Sequence, residues 1–279
     1  METDFSGWTG RTERVVDALS VAQAQAAQAT FDAQDPALGE GDALPLPWHW
    51  FYFLPRAAQS ALDEDGHPQR GGFLPPIPYP RRMFAGARMQ VHQPLRVGVP
   101  ALREATIRDV VLKSGKTGAL AFVTVAYRFS QQGALCLEEE QDIVYREPGS
   151  AVAAPQAVDL PLPPAGSWVR TLQPDTRLLF RFSALTFNAH RIHYDRAYAQ
   201  DVEGYPGLVV HGPLTAVLLM QLVRASTPRS VRTFSFRGVA PLFDLGPVRL
   251  VAVPEGDAVD LKALGPDGKV ALAATATFA

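Results

Sequence analysis

The sequence predicts an α+β protein made of two copies of one unit, in which a helix is wrapped by a curved antiparallel sheet. Three observations carry that expectation. Apolar and β-branched residues form long strand-like runs at 105–112, 120–129 and 135–145, with Gly, Ser and Lys turns between them. After a proline-rich stretch at 148–164 the pattern restarts, with strands expected at 177–182, 231–236, 248–253, 259–264 and 270–278. Finally, residues 89–98 resemble residues 234–243, and residues 114–125 resemble residues 267–277, as a tandem duplication requires. The expected division is a first unit at 1–147, a linker at 148–164 and a second unit at 165–279.

The remaining elements follow in chain order. Residues 12–34 are rich in Ala and Gln, open on Thr12-Glu13 and stop at Pro36, so one or two helices are expected there. Residues 38–82 mix Pro and Gly with Trp48, Trp50, Phe51, Tyr52 and Phe53, and carry Asp63-Glu64-Asp65 near their middle. This reads as a loop packed over a core. Gly115-Lys116-Thr117 lacks the first glycine of a phosphate loop, so it is expected as a hairpin turn. In the second half a short helix is expected at 196–202 and another helix opening at Pro213, because proline suits the first helical position.

Composition narrows the function. With 47% hydrophobic and 19% charged residues the chain can bury a sizeable core, and its net charge of -2 offers no general attraction to nucleic acid or anionic lipid. No apolar run is long enough to span a bilayer, and the acidic start is unlike a signal peptide, so a cytoplasmic protein is expected. Cys136 is the single cysteine and lies in an apolar segment, which makes it a buried filler rather than a thiolate ligand.

The chemistry is concentrated at Asn188-Ala189-His190-Arg191-Ile192-His193-Tyr194-Asp195, followed by His211-Gly212-Pro213. Histidine titrates near neutrality and can both take and return a proton. Asn188 offers a carbonyl to orient water and an amide to donate. Gly212 stands at a helix start, where free N–H groups and the positive end of the dipole suit an oxyanion. Metal binding by His190, His193 and Asp195 is opposed by the fixed charge of Arg191 between them. No metal and no cofactor are expected.

These residues resemble the MaoC-like, R-specific enoyl-CoA hydratases, whose signature runs Asp-x-Asn-Pro-Ile/Leu-His-x-Asp and is followed by a His-Gly helix start. Without a gap, the family's catalytic Asp falls on Asn188 and its catalytic His on His193; a shifted alignment places the family Asn on Asn188. Trp48-His49-Trp50, Gly71-Gly72-Phe73-Leu74-Pro75-Pro76, Pro80-Arg81-Arg82-Met83 and residues 140–146 resemble a narrower branch. That branch holds the mesaconyl-C4-CoA and itaconyl-CoA hydratases and the type 2 hydroxyacyl-thioester dehydratases.

The resemblance implies a double hot-dog fold with a degenerate first half, and a hydro-lyase acting on a CoA thioester. It implies an acyl-CoA substrate, a C5 dicarboxylic one first, with CoA as part of the substrate, and a homodimer. His193 would be the acid–base group, Asn188 the orienter of water and Gly212 the oxyanion donor. Arg191 would read the distal carboxylate, with His190, His211, Arg81, Arg82 and Arg237 as further substrate contacts; Arg224, Arg229 and Arg232 are candidates for the CoA phosphates. A monocarboxylic dehydratase, a thioesterase using Asp195 or Glu139, and a non-catalytic acyl-CoA binder remain as alternatives.

Overall fold

A computed structural model describes residues 5–115, 118–147, 149 and 151–279. The first half contributes β1 (Thr12–Asp17), α1 (Val21–Thr30), β2 (Arg81–Val91), β3 (Ala101–Gly115), β4 (Gly118–Gln131) and β5 (Ala134–Arg146). The second contributes β6 (Trp168–Leu172), α2 (Thr176–Thr186), α3 (Gly212–Ser226), β7 (Val231–Gly238), β8 (Val248–Glu255), β9 (Ala258–Leu264) and β10 (Val270–Phe278). All ten strands join one antiparallel sheet in the order β1-β3-β4-β5-β2-β7-β10-β9-β8-β6. The order reads symmetrically outward from the β2–β7 pair.

That central pair explains the resemblance between residues 89–98 and 234–243. Met89 lies opposite Phe234 and Ala87 opposite Phe236, so equivalent strands meet about the symmetry centre. Gly86 makes the junction possible, because a Cβ there would stand 2.3 Å from the Phe236 carbonyl oxygen. The hairpin turn expected at Gly115-Lys116-Thr117 has Lys116 and Thr117 outside the described residues, although Gly115 and Gly118 on either side are paired.

Two expected elements are corrected. Residues 12–17 form an edge strand paired with β3, not a helix, and the helix begins only at Val21, capped by Ser20. The alternating burial of Thr12–Asp17 has the two-residue period of a strand. Residues 176–186 form α2 rather than a strand. Asp175 caps its start by accepting from Leu178 N at 2.9 Å, and Leu179, Phe182, Ser183 and Leu185 are buried at helical spacing. The polar motif therefore leaves a helix, through Phe187 in a left-handed conformation at φ 49°.

The halves differ at their centres. In the second, α3 is buried over nine positions and fills the curve of the sheet. In the first, residues 31–80 hold no α-helix, only short 3-10 turns and isolated β-bridges, and aromatic side chains do the filling. Trp48 and Phe51 are buried, Phe51 stacks on Phe31 and meets Phe182 edge-on across the halves. Cys136 is buried in the same core. Among the described residues no helix is long and apolar enough to cross a membrane.

Candidate active site

A cavity of about 1260 Å³ opens between the halves, and its wall includes Asn188, His190, His193, His211, Gly212 and Arg82. It is largely apolar elsewhere, with room for an extended acyl chain.

The motif reaches the cavity through a single 3-10 turn, Arg191–His193. His193 is buried, and its Nδ1 lies 2.7 Å from the carbonyl oxygen of Val209. A carbonyl only accepts, so Nδ1 carries the hydrogen and Nε2 keeps its lone pair. Burial, aided by the neighbouring His190, holds the His193 pKa down at about 3. His193 is therefore a neutral base at physiological pH. The His211 ring stacks on it at 3.5 Å between centroids and is itself fixed by Ser183 Oγ at 2.9 Å. His211 thus braces His193 more than it faces a substrate.

Asn188 Oδ1 accepts the His190 backbone N–H at 2.9 Å. The carbonyl expected to orient water is engaged in shaping the turn, and the amide hydrogens are what Asn188 offers to the cavity. Gly212 is the first residue of α3, and Pro213 has no N–H, so the Gly212 N–H is the helix-terminal donor at this wall.

The arginines divide sharply. Arg191 does not line the cavity: its guanidinium donates to Asp195 Oδ2 at 2.8 and 3.1 Å and to the Glu64 carbonyl, and lies over the Tyr198 ring. It lies on the outer side because the 3-10 turn sends His193 inward and Arg191 away, and Asp195 holds it there. Arg81 is buried in an ion pair with Glu203. Arg237 is exposed on β7, beside the Gly238–Val239 rim. Arg224 and Arg229 pair with Asp35 and Asp257, and Arg232 is exposed. Arg82 alone of the sequence-expected arginines enters the cavity wall; among the described residues it has no carboxylate partner, and its charge is felt by His67 and His190.

Sequence reasoning missed Asp65, His67 and Arg146. Arg146 also lines the cavity, with its Nε buried and without a partner among the described residues. His67 packs against His190 at 4.0 Å between ring centroids, and His190 meets His193 edge-on at 5.3 Å. The available signal was a histidine directly after an Asp-Gly turn, inside a loop otherwise rich in proline. Asp65, His67 and His190 place ligand atoms within 4.8 Å of one another. Both Asp65 oxygens are already engaged by His67, through its backbone N–H at 2.8 Å and Nδ1 at 2.9 Å, and Arg82 adds positive charge nearby. That donor set suits a held imidazole better than a cation.

Burial also lowers His190 to about 3, with a consequence for stability. The unfolded chain takes up these protons near pH 6.5, so as pH falls below that value the unfolded state binds more protons than the folded one. The contribution is complete above pH 6.5 and drains away as pH falls toward 3. Urea midpoints are expected to drop steadily between pH 7 and 4. A His190→Gln, His193→Gln double variant should show a flatter dependence, and an unchanged slope would remove these two rings as its source.

Comparisons with known proteins identify the family and the fold. The family model for hydroxyacyl-thioester dehydratase type 2 matches residues 47–244. The chain is 64% identical over 272 residues to a mesaconyl-C(4)-CoA hydratase of Chloroflexus aurantiacus, covering 98% of this chain and 97% of that one. It is 27% identical over 254 residues to the mitochondrial hydroxyacyl-thioester dehydratase type 2 of Schizosaccharomyces pombe, covering 82% of each. A Mycobacterium tuberculosis protein described as having a double hotdog fold superposes with a TM-score of 0.56 at 15% identity, over 97% of this chain and 96% of that one. The fold is a double hot-dog, and the chain belongs to the type 2 hydroxyacyl-thioester dehydratase family.

Proposed function

We propose that this chain is a hydro-lyase that adds water to, or removes it from, the α,β double bond of a C5 dicarboxylic CoA thioester, with mesaconyl-C4-CoA and citramalyl-CoA as its pair. The observation that carries this reading is a neutral, Nε2-basic His193 sharing one cavity with the Gly212 N–H and with Arg82, which has no carboxylate partner among the described residues. Water attacks the β-carbon while negative charge builds on the thioester oxygen. His193 Nε2 takes the water proton, and Gly212 N–H at the positive end of α3 holds the developing enolate oxygen. The β-carbon of mesaconyl-C4-CoA also bears a carboxylate. Arg82 is assigned to it in place of Arg191, with Arg146 beside it. The 64% identity to a mesaconyl-C(4)-CoA hydratase supports that choice of substrate.

A thioesterase finds less support. Glu139 is buried with His49, Trp50 and Gln141 all donating to it, and Asp195 is tied to Arg191 outside the cavity. Neither carboxylate is free to attack. The test is kcat/KM for mesaconyl-C4-CoA, itaconyl-CoA and crotonyl-CoA: the dicarboxylic thioesters should exceed crotonyl-CoA by at least 100-fold. Equal turnover would favour a monocarboxylic dehydratase. The proposal includes a cytoplasmic homodimer in which the water-activating His193 and the oxyanion donor Gly212 come from the 165–279 unit, while the 1–147 unit supplies Arg82 and cavity wall.

Arg191 has a different task in this scheme. Its backbone N–H donates to the Asp65 carbonyl at 2.8 Å, so it ties the first half's loop to the motif. Arg191→Pro removes that donor. It is expected to reduce kcat/KM for mesaconyl-C4-CoA and crotonyl-CoA by similar factors, as steady-state kinetics will show. Selective loss on the dicarboxylic thioester would return Arg191 to substrate recognition.

A further inference from the structure

Resting on that hydro-lyase reading, we propose that His67, supported by Asp65, is a second catalytic histidine: it handles the proton of the substrate α-carbon, while His193 serves the water at the β-carbon. A hydration needs a proton removed from water and a proton delivered to the α-carbon. Asn188, beside His193 at the cavity wall, cannot titrate and so can carry neither proton. The first half supplies a carboxylate–imidazole pair at the same cavity instead.

The pair is held by a tight hairpin. Asp63 N donates to the His67 carbonyl at 2.7 Å, Gly66 N to the Asp63 carbonyl at 2.9 Å, and Leu62 bridges Pro68. The hairpin is docked on the motif through Arg191 N and the Asp65 carbonyl. Gly66, at φ +91°, lies so close that a Cβ would fall 1.8 Å from the Ala189 carbonyl oxygen. Only glycine permits this approach, in both conformation and space. Within the hairpin Asp65 Oδ2 takes the Nδ1 hydrogen of His67, which leaves Nε2 as the basic nitrogen of a ring that lines the cavity. A carboxylate behind an imidazole stabilises the imidazolium formed when the ring accepts a proton. His193 has only a carbonyl behind it, so His67 is the better holder of a proton in transit.

The step balances with one circulating proton. His193 Nε2 takes a proton from water as the oxygen bonds to the β-carbon, and the π pair moves to the thioester oxygen as an enolate facing Gly212 N–H. The proton passes along the ring row by way of His190 and cavity water to His67. His67 delivers it to the α-carbon as the enolate collapses. One C–O and one C–H bond form, nothing is oxidised, and all three imidazoles end neutral.

The test uses citramalyl-CoA in D2O, following α-hydrogen exchange by NMR and enoyl-thioester formation by absorbance in the same samples. Wild type should do both. His193→Gln should lose at least 100-fold in enoyl formation yet keep α-exchange within a few-fold of wild type. His67→Gln should lose at least 100-fold in both while binding methylsuccinyl-CoA, the saturated analogue, as tightly as wild type; Asp65→Asn should slow exchange in the same sense. The proposal is overturned if His67→Gln exchanges normally, if His193→Gln abolishes exchange, or if His67→Gln loses analogue binding as steeply as catalysis. Loss of activity to a chelator with recovery on adding a divalent metal would overturn it in favour of a cation at Asp65, His67 and His190. A wild-type protein inert toward citramalyl-CoA would instead sink the hydro-lyase reading beneath it.

Discussion

Replacing His193 with alanine lowers kcat for hydration of mesaconyl-C4-CoA by about 10²–10⁴-fold, the range expected when a positioned acid–base group is removed. KM changes little, because the ring acts on the water and not on the bulk of the thioester. The size of the effect follows from how completely the ring is prepared. Val209 fixes its tautomer and His211 fixes its plane, while burial keeps it unprotonated. Alanine leaves Gly212, His67 and the cavity wall in place, so residual turnover above background is expected. Circular dichroism and stopped-flow kinetics together separate this from unfolding. Near-wild-type kcat in a folded variant would remove His193 from the mechanism.

Arg82→Ala costs mesaconyl-C4-CoA roughly 10²–10³-fold in kcat/KM, in line with the loss of a charge pair inside a partly desolvated site. Crotonyl-CoA should lose less than 10-fold, since its β-carbon carries only a methyl group. The asymmetry arises because an anion brought to the cavity wall without Arg82 gives up water for nothing of equal strength. Arg82→Lys should recover only part of the loss, because a point charge replaces a planar fork. If Arg82→Ala affects both thioesters equally, Arg146, a further cavity arginine whose Nε is buried without a partner among the described residues, becomes the candidate reader.

The strands were legible because their side chains alternate over long runs, as in residues 120–129, and because equivalent segments recur in both halves. Residues 176–186 misled because Leu178, Leu179, Phe180 and Phe182 look like a strand when the Asp175 cap is ignored. The motif itself gave His193, Asn188 and Gly212 as neighbours, and the cavity does bring them together. Arg191 was misread since sequence spacing does not say which way a side chain leaves a 3-10 turn, and only the fold shows Asp195 holding it outward. His67 was out of reach for another reason. Its place depends on a hairpin from the first half docking against Ala189 and Arg191 in the second, a contact that no local pattern encodes.

Incubating the purified protein with mesaconyl-C4-CoA while following enoyl-thioester absorbance and free thiol together tests the central claim most directly. The account predicts loss of the enoyl absorbance with no thiol released, and a product heavier than the substrate by one water. Release of free CoA in step with the absorbance change, or no change in either signal, would contradict it.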